Sequence, residues 1–241
     1  MKTRHILPCF LILAAFGCQG EKTAEKQVPE TKPPVKNETE GSPTAKLEVP
    51  ANLQHDGYRF YGLNKSEPFN LEISGTALDG TLTGSQKHTL VSVDGEKATF
   101  TIERTGGLVT TVGGTQDIEL RRDGVYATTV QGEKLNPPQM ELPANLEPGK
   151  VWTINSSFKS NGNDITIKAT NKVVRKEKVK TKAGEFDAWL ITNQGQYTVG
   201  TNKLQVEVKT WYADGVGEVK LVMATKDASG KAQNLSLEAT K

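Results

Sequence analysis

The sequence predicts an all-β domain of curved antiparallel sheet, sandwich-like or half-barrel-like, with two related halves as an open alternative. Three observations carry that expectation. Apolar and polar residues alternate in short runs across residues 55–241, the pattern of half-buried strands. Asp94-Gly95 and Asp123-Gly124 sit between such runs and are strong hairpin signals, because both residue types tolerate the positive φ of tight turns. No stretch shows a sustained apolar spacing of three and four, so helix is expected only as one or two short turns. A content of 23 glycines and 6% aromatics fits many short strands better than a helical bundle.

Taken in order, residues 59–63 and 69–74 read as short strands. Residues 88–93 and 97–103 form a first hairpin. In its second arm Ala98, Phe100 and Ile102 face one way, and Thr99, Thr101 and Glu103 the other. Gly106-Gly107 and Gly113-Gly114 bracket a Val/Thr-rich piece that reads as another strand. Residues 117–121 and 125–131 form a second hairpin. Residues 136–149 carry Pro137, Pro138, Pro143 and Pro148, which suit an edge or extended segment because proline cannot donate to a ladder. Strands are expected again at 150–158, 164–174, 186–193, 204–212, 218–225 and 234–240, and residues 175–182 read as a charged, exposed strand. Pro50-Ala51-Asn52-Leu53 recurs as Pro143-Ala144-Asn145-Leu146. That echo motivates halves at 55–141 and 142–241, with chance recurrence as the alternative.

The N-terminus reads as a leader and not as structure. Lys2 and Arg4 precede an apolar run at residues 6–16. The run is shorter than the roughly 20 residues a spanning helix needs. It ends in Ala15-Phe16-Gly17-Cys18, similar to the lipobox of bacterial lipoproteins. The expectation is a signal peptide at 1–17 and lipid attachment at Cys18, with an ordinary secretory signal as the bland alternative. Gln19 is compatible with outer-membrane sorting. Residues 18–54 hold no aromatic residue and many Pro, Lys and Glu, which reads as a disordered tether. Cys9 lies in the leader and Cys18 would carry the lipid, so the domain at 55–241 has no disulfide.

Charge and motifs exclude several function classes. The formal charge is +2; removing Lys2 and Arg4 leaves 28 basic against 28 acidic residues, without the basic surplus of a nucleic-acid binder. His55 and His88 are the only histidines after the leader, too few soft or imidazole ligands for zinc. No calcium loop, phosphate loop or nucleophile elbow is present. Glu185 and Asp187 share a strand face and, with Asp164 and His88, are the acid/base groups a hydrolase would have to bring together. The expectation is no catalytic residue, no metal and no cofactor. Gly215 and Gly217 read as turn or bulge formers. Trp211 and Tyr212 face opposite sides of one strand, so one is core and the other covers a face or lines a groove. With Trp189 they are the candidate interaction residues.

Three pieces of the second half are familiar together: residues 142–152, residues 181–188 (T-K-A-G-E-F-D-A) and residues 211–220 (W-Y-A-D-G-V-G-E-V-K). In combination they resemble the TapB-like families of bacterial envelope proteins, mostly secreted or lipid-anchored. The resemblance implies an all-β, curved antiparallel architecture and no established reaction. The functional expectation is a non-enzymatic envelope domain, held to a membrane through Cys18 at the outer membrane or periplasm. It would bind a protein partner or surface polymer; the alternative is a carrier of a lipid or other apolar ligand in a curved-sheet cavity.

Overall fold

A computed structural model describes residues 47–160 and 162–241. The expected signal peptide, Cys18 and most of the expected tether lie outside the described residues. Twelve antiparallel strands run up and down in sequence order, and the last pairs with the first to close a barrel. They are β1 (Phe69–Gly75), β2 (Leu82–Val93), β3 (Lys97–Arg104), β4 (Thr115–Arg121), β5 (Gly124–Val130) and β6 (Glu133–Pro143). The second six are β7 (Val151–Ser160), β8 (Asn163–Thr181), β9 (Gly184–Val199), β10 (Asn202–Ala213), β11 (Gly217–Asp227) and β12 (Ala232–Thr240). The all-β antiparallel expectation holds, and the sheet is closed: neither a sandwich nor a half-barrel. Both hairpins form where the Asp-Gly signals stood. The boundary drawn at 141/142 falls at the end of β6, with six strands on either side, but all twelve share one barrel.

Two expected strands are helices. Residues 59–63 belong to a plug that begins with a 3₁₀ turn (Ala51–Leu53) and continues as α1 (Asp56–Phe60). His55 caps α1: its Nδ1 accepts from Tyr58 N at 3.2 Å, and its Nε2–H donates to the Arg121 carbonyl at 2.8 Å. The Val/Thr-rich piece is α2 (Leu108–Val112). Both segments lost strand structure for the same reason. A closed barrel has no open edge, so a β-prone segment has none to join and packs by its apolar face instead. Leu108 is fully buried. The expected tether ended at Gln54, yet Val49 and Leu53 are buried; the packed domain therefore starts before His55.

The plug closes the end of the barrel formed by the β4–β5, β6–β7 and β10–β11 connections. Phe60 and Leu63 are buried in a cluster with Phe100, Ile118, Val173 and Ile191. Gly57 N donates to the Ala144 carbonyl at 3.3 Å, Gly215 N to the Arg59 carbonyl at 3.0 Å, and Arg59 pairs with Asp214. Gly217, at φ +98°, brings its α-carbon so near the plug that a Cβ would meet the Tyr61 carbonyl oxygen at 2.9 Å. The motif read as a tight turn is thus also the latch that seats the plug.

The ladder is thinnest between β6 and β7, where one register pair, Asn136↔Ser157, stands. Pro137 and Pro138 lack N–H groups, so side chains complete the seam. Ser156 Oγ donates to the Pro137 carbonyl at 2.7 Å, Ser157 Oγ to the Asn136 carbonyl at 3.2 Å, and Trp152 Nε1 to the Met140 carbonyl at 3.0 Å.

Gly217→Ala combines a disfavoured φ with a clash against backbone, and costs about 2–4 kcal/mol in urea unfolding. Gly95→Ala, at φ +85° in the β2–β3 turn with open space around it, costs about 1 kcal/mol, the backbone part alone. Equal losses would contradict the latch.

Candidate functional site

A barrel this wide is not filled by its own side chains. A cavity of about 260 Å³ lies in the lumen, where two apolar clusters meet. One is centred on β3–β10 and the plug, the other on β1, β11 and β12. Ile154, Phe158, Ile191, Met223, Leu235 and Leu237 are among its apolar lining, and Arg104, Glu141, Glu218, Gln116, Asn193 and Tyr212 are among its polar lining.

Arg104 reaches the lumen by plain alternation. Ala98, Phe100 and Ile102 face inward, and Arg104 is the next residue on that face. Its neighbours across the ladders, Gln86 on β2 and Gln116 beside Ile102 on β4, face the same way. Arg104 Nε donates to Gln86 Oε1 at 2.7 Å and Nη2 to Gln116 Oε1 at 2.9 Å. Since Gln86 Oε1 is the acceptor, its Nε2 donates to His88 Nε2 at 3.1 Å, and His88 Nδ1–H donates to the Gly62 carbonyl at 2.9 Å. A directed chain therefore runs from the arginine to the plug. It requires neutral His88, whose pKa is lowered by burial.

One acid arrives by alternation and the other by a bulge. Glu141 follows Leu135 and Gln139 on the inward face of β6, and the bulge beside it, where Val125 faces Leu142 and Tyr126 faces Met140, turns Leu142 inward as well. On β11, Lys220 faces Trp211 and Glu218 faces Tyr212, so Val219 is the extra residue. Without that second bulge Glu218 would alternate outward with Lys220; with it, Glu218 turns inward beside Tyr212. Bulges commonly re-aim a side chain next to a site. Both carboxyls are enclosed by the wall yet keep surface toward the cavity. Burial pushes each up to about 7, with Arg104 opposing in both cases and Gln139 opposing at Glu141. Glu141 also raises Glu218. Gln139 Nε2 donates to Glu141 Oε1 at 3.1 Å.

Tyr61 of the plug stacks between His88 and Tyr212, with ring centroids 6.1 Å from each. Burial raises the pKa of both phenols, which keeps them neutral. Asn193 Nδ2 donates to Asn171 Oδ1 at 2.8 Å, while Asn193 Oδ1 is buried with no hydrogen-bond partner.

The expected site residues divide. Tyr212 lines the cavity, and its neighbour Trp211 is on the outer face, as alternation required. Trp211 Nε1 donates to Glu177 Oε1 at 2.7 Å, and the Lys220 ammonium sits 5.9 Å from its ring. Trp189 meets Phe60 of the plug edge-on, with centroids 6.5 Å apart; it holds the plug and is absent from the cavity wall. Gly215 and Gly217 seat the plug. Glu185 pairs with Lys178 and Asp164 with Lys159 at the exposed surface, so neither shares the lumen with His88. Sequence reasoning missed Arg104, Glu141 and Glu218. Extending the β3 face by one residue would have found Arg104, and carrying the Leu135/Gln139 face onward would have found Glu141; the bulge at Glu218 left no comparable signal. Among the described residues no group of three or more His, Cys, Asp or Glu could hold a metal ion.

Residues 115–233, just under half of the chain, match the DUF3108-like family. No curated protein sequence matches the chain. The chain is similar in fold to a candidate lipoprotein from Parabacteroides distasonis, at 14% identity over 76% of this chain and 98% of that one, TM-score 0.49. It is also similar to a candidate exported protein with a YmcC-like fold from Bacteroides fragilis, at 11% identity over 73% and 96%, TM-score 0.40. The hypothetical lipoprotein YmcC of Escherichia coli is similar at 10% identity over 77% and 90%, TM-score 0.33. None of these three likenesses carries a functional argument. The TapB-like reading rests on the sequence motifs alone.

The buried acids make stability depend on pH. Each has a folded-state pKa, about 7, above its ordinary 4.5. The stability each contributes is whole below pH 4.5 and is lost as pH rises through 7. His88 runs the other way: its lowered pKa gives stability above its ordinary 6.5 that is lost as pH falls. Comparing variants with wild type isolates the acids. Glu141→Gln and Glu218→Gln each reduce the loss between pH 5 and pH 8 by about 1–3 kcal/mol in urea unfolding. A wild-type pH slope in both variants would contradict burial of the carboxyls.

Proposed function

We propose that this chain is a non-enzymatic binding barrel of the cell envelope that holds a small amphipathic molecule in its lumen. The observation that carries this reading is the cavity of about 260 Å³ lined by both apolar and polar side chains. Its size is close to the lower end of small-molecule sites, roughly 300–1,000 Å³, and such sites combine apolar lining with a few placed polar groups. The polar lining departs from the purely apolar cavity expected of a lipid carrier. It favours a ligand with a polar head over a plain hydrocarbon. A protein partner or surface polymer remains the alternative, with no feature of the outer surface behind it. The envelope location is supported by the leader and lipobox-like residues ending at Cys18, which make lipid anchoring part of the proposal.

The test uses the full chain and Nile red, a neutral dye that brightens in apolar surroundings. Wild-type protein takes up the dye with saturation. Val208→Trp, which puts an indole at the cavity wall, reduces uptake by about tenfold with an unchanged far-ultraviolet circular dichroism spectrum. Absence of saturable uptake, or uptake equal in the variant, would overturn the lumenal site.

A further inference from the structure

The groups around the cavity do not balance. Two acids, Glu141 and Glu218, face it against one cation, Arg104. Arg104 is held to the wall through Gln86 and Gln116, and it makes no ion pair with either acid among the described residues. Glu218 accepts no hydrogen bond among the described residues, Glu141 accepts one, from Gln139, and Asn193 Oδ1 is buried without a donor. Acceptors are in surplus, and one of them is an orphan that costs about 1–3 kcal/mol if left so.

Resting on the binding reading above, we propose that the lumen selects an amphipathic amine. Its ammonium head sits between Glu141 and Glu218, and its hydrocarbon body lies along Ile154, Phe158, Leu235 and Leu237. An ammonium brings three donors and one positive charge, which supplies what these acceptors lack. A carboxylate head would add a third anion facing one arginine. The raised carboxyl pKa values agree with this, since they record two acids buried without sufficient countercharge.

The experiment displaces Nile red from the full chain at pH 7.5 with three probes of one chain length: octylammonium, octanol and octanoate, all below micelle formation. Octylammonium displaces the dye at about tenfold lower concentration than either other probe, the value of a charge-assisted hydrogen-bonded pair in a sheltered site. Glu218→Gln and Glu141→Gln each shrink that advantage to about threefold or less. Octanoate or octanol equal to octylammonium on the wild type overturns the amine assignment and leaves the lumenal site standing. An amine advantage untouched by both variants overturns the assignment to these acids. A dye that never enters overturns the binding reading itself.

Discussion

A closed ring of twelve strands encloses more space than its inward side chains fill, and the rest of the molecule answers that constraint. Closure through β1 and β12 leaves no free edge, so the two β-prone segments that found no partner became α1 and α2. One end is then stoppered by residues 49–63, whose Leu53, Phe60 and Leu63 extend the core across the opening. The lumen that remains is neither packed solid nor uniformly apolar.

Seating the plug and building the polar lining are one problem. Tyr61 belongs to the plug and lines the cavity. Gly62, beside it, accepts from His88, and His88 ends the chain of donors that begins at Arg104. Gly215 and Gly217 hold the plug from the β10–β11 turn, and Glu218 follows them directly. The bulge at Val219 that turns Glu218 inward lies two residues from the Gly217 latch. Strain at that turn would therefore be felt at both the stopper and the acid.

Period-two patterning made most strands legible, and the Asp-Gly pairs located two hairpins, because those signals are local. Tyr212 was legible as one of two opposed faces, and Arg104 lay one residue beyond a face already traced. Glu141 shares its face with Leu135 and Gln139 but sits in a proline-rich segment that did not read as an inner strand. Glu218 was not legible, since a single inserted residue reverses which face follows and leaves composition unchanged. The strand assigned to 59–63 failed because closure of the sheet, a global property, decided against local propensity. The tether boundary failed for a related reason: residues 49–54 look like linker until the barrel end they cover is known.

The central claim is that the inward face of β6 and the bulge of β11 place Glu141 and Glu218 inside the barrel, sheltered from bulk water. Carbon-13 titration of glutamate side-chain carboxyls, assigned with Glu141→Gln and Glu218→Gln, measures this directly. The account predicts two carboxyls raised above the ordinary 4.5, to about 7. If both titrate at the ordinary 4.5, the acids face solvent and the polar lumen does not exist.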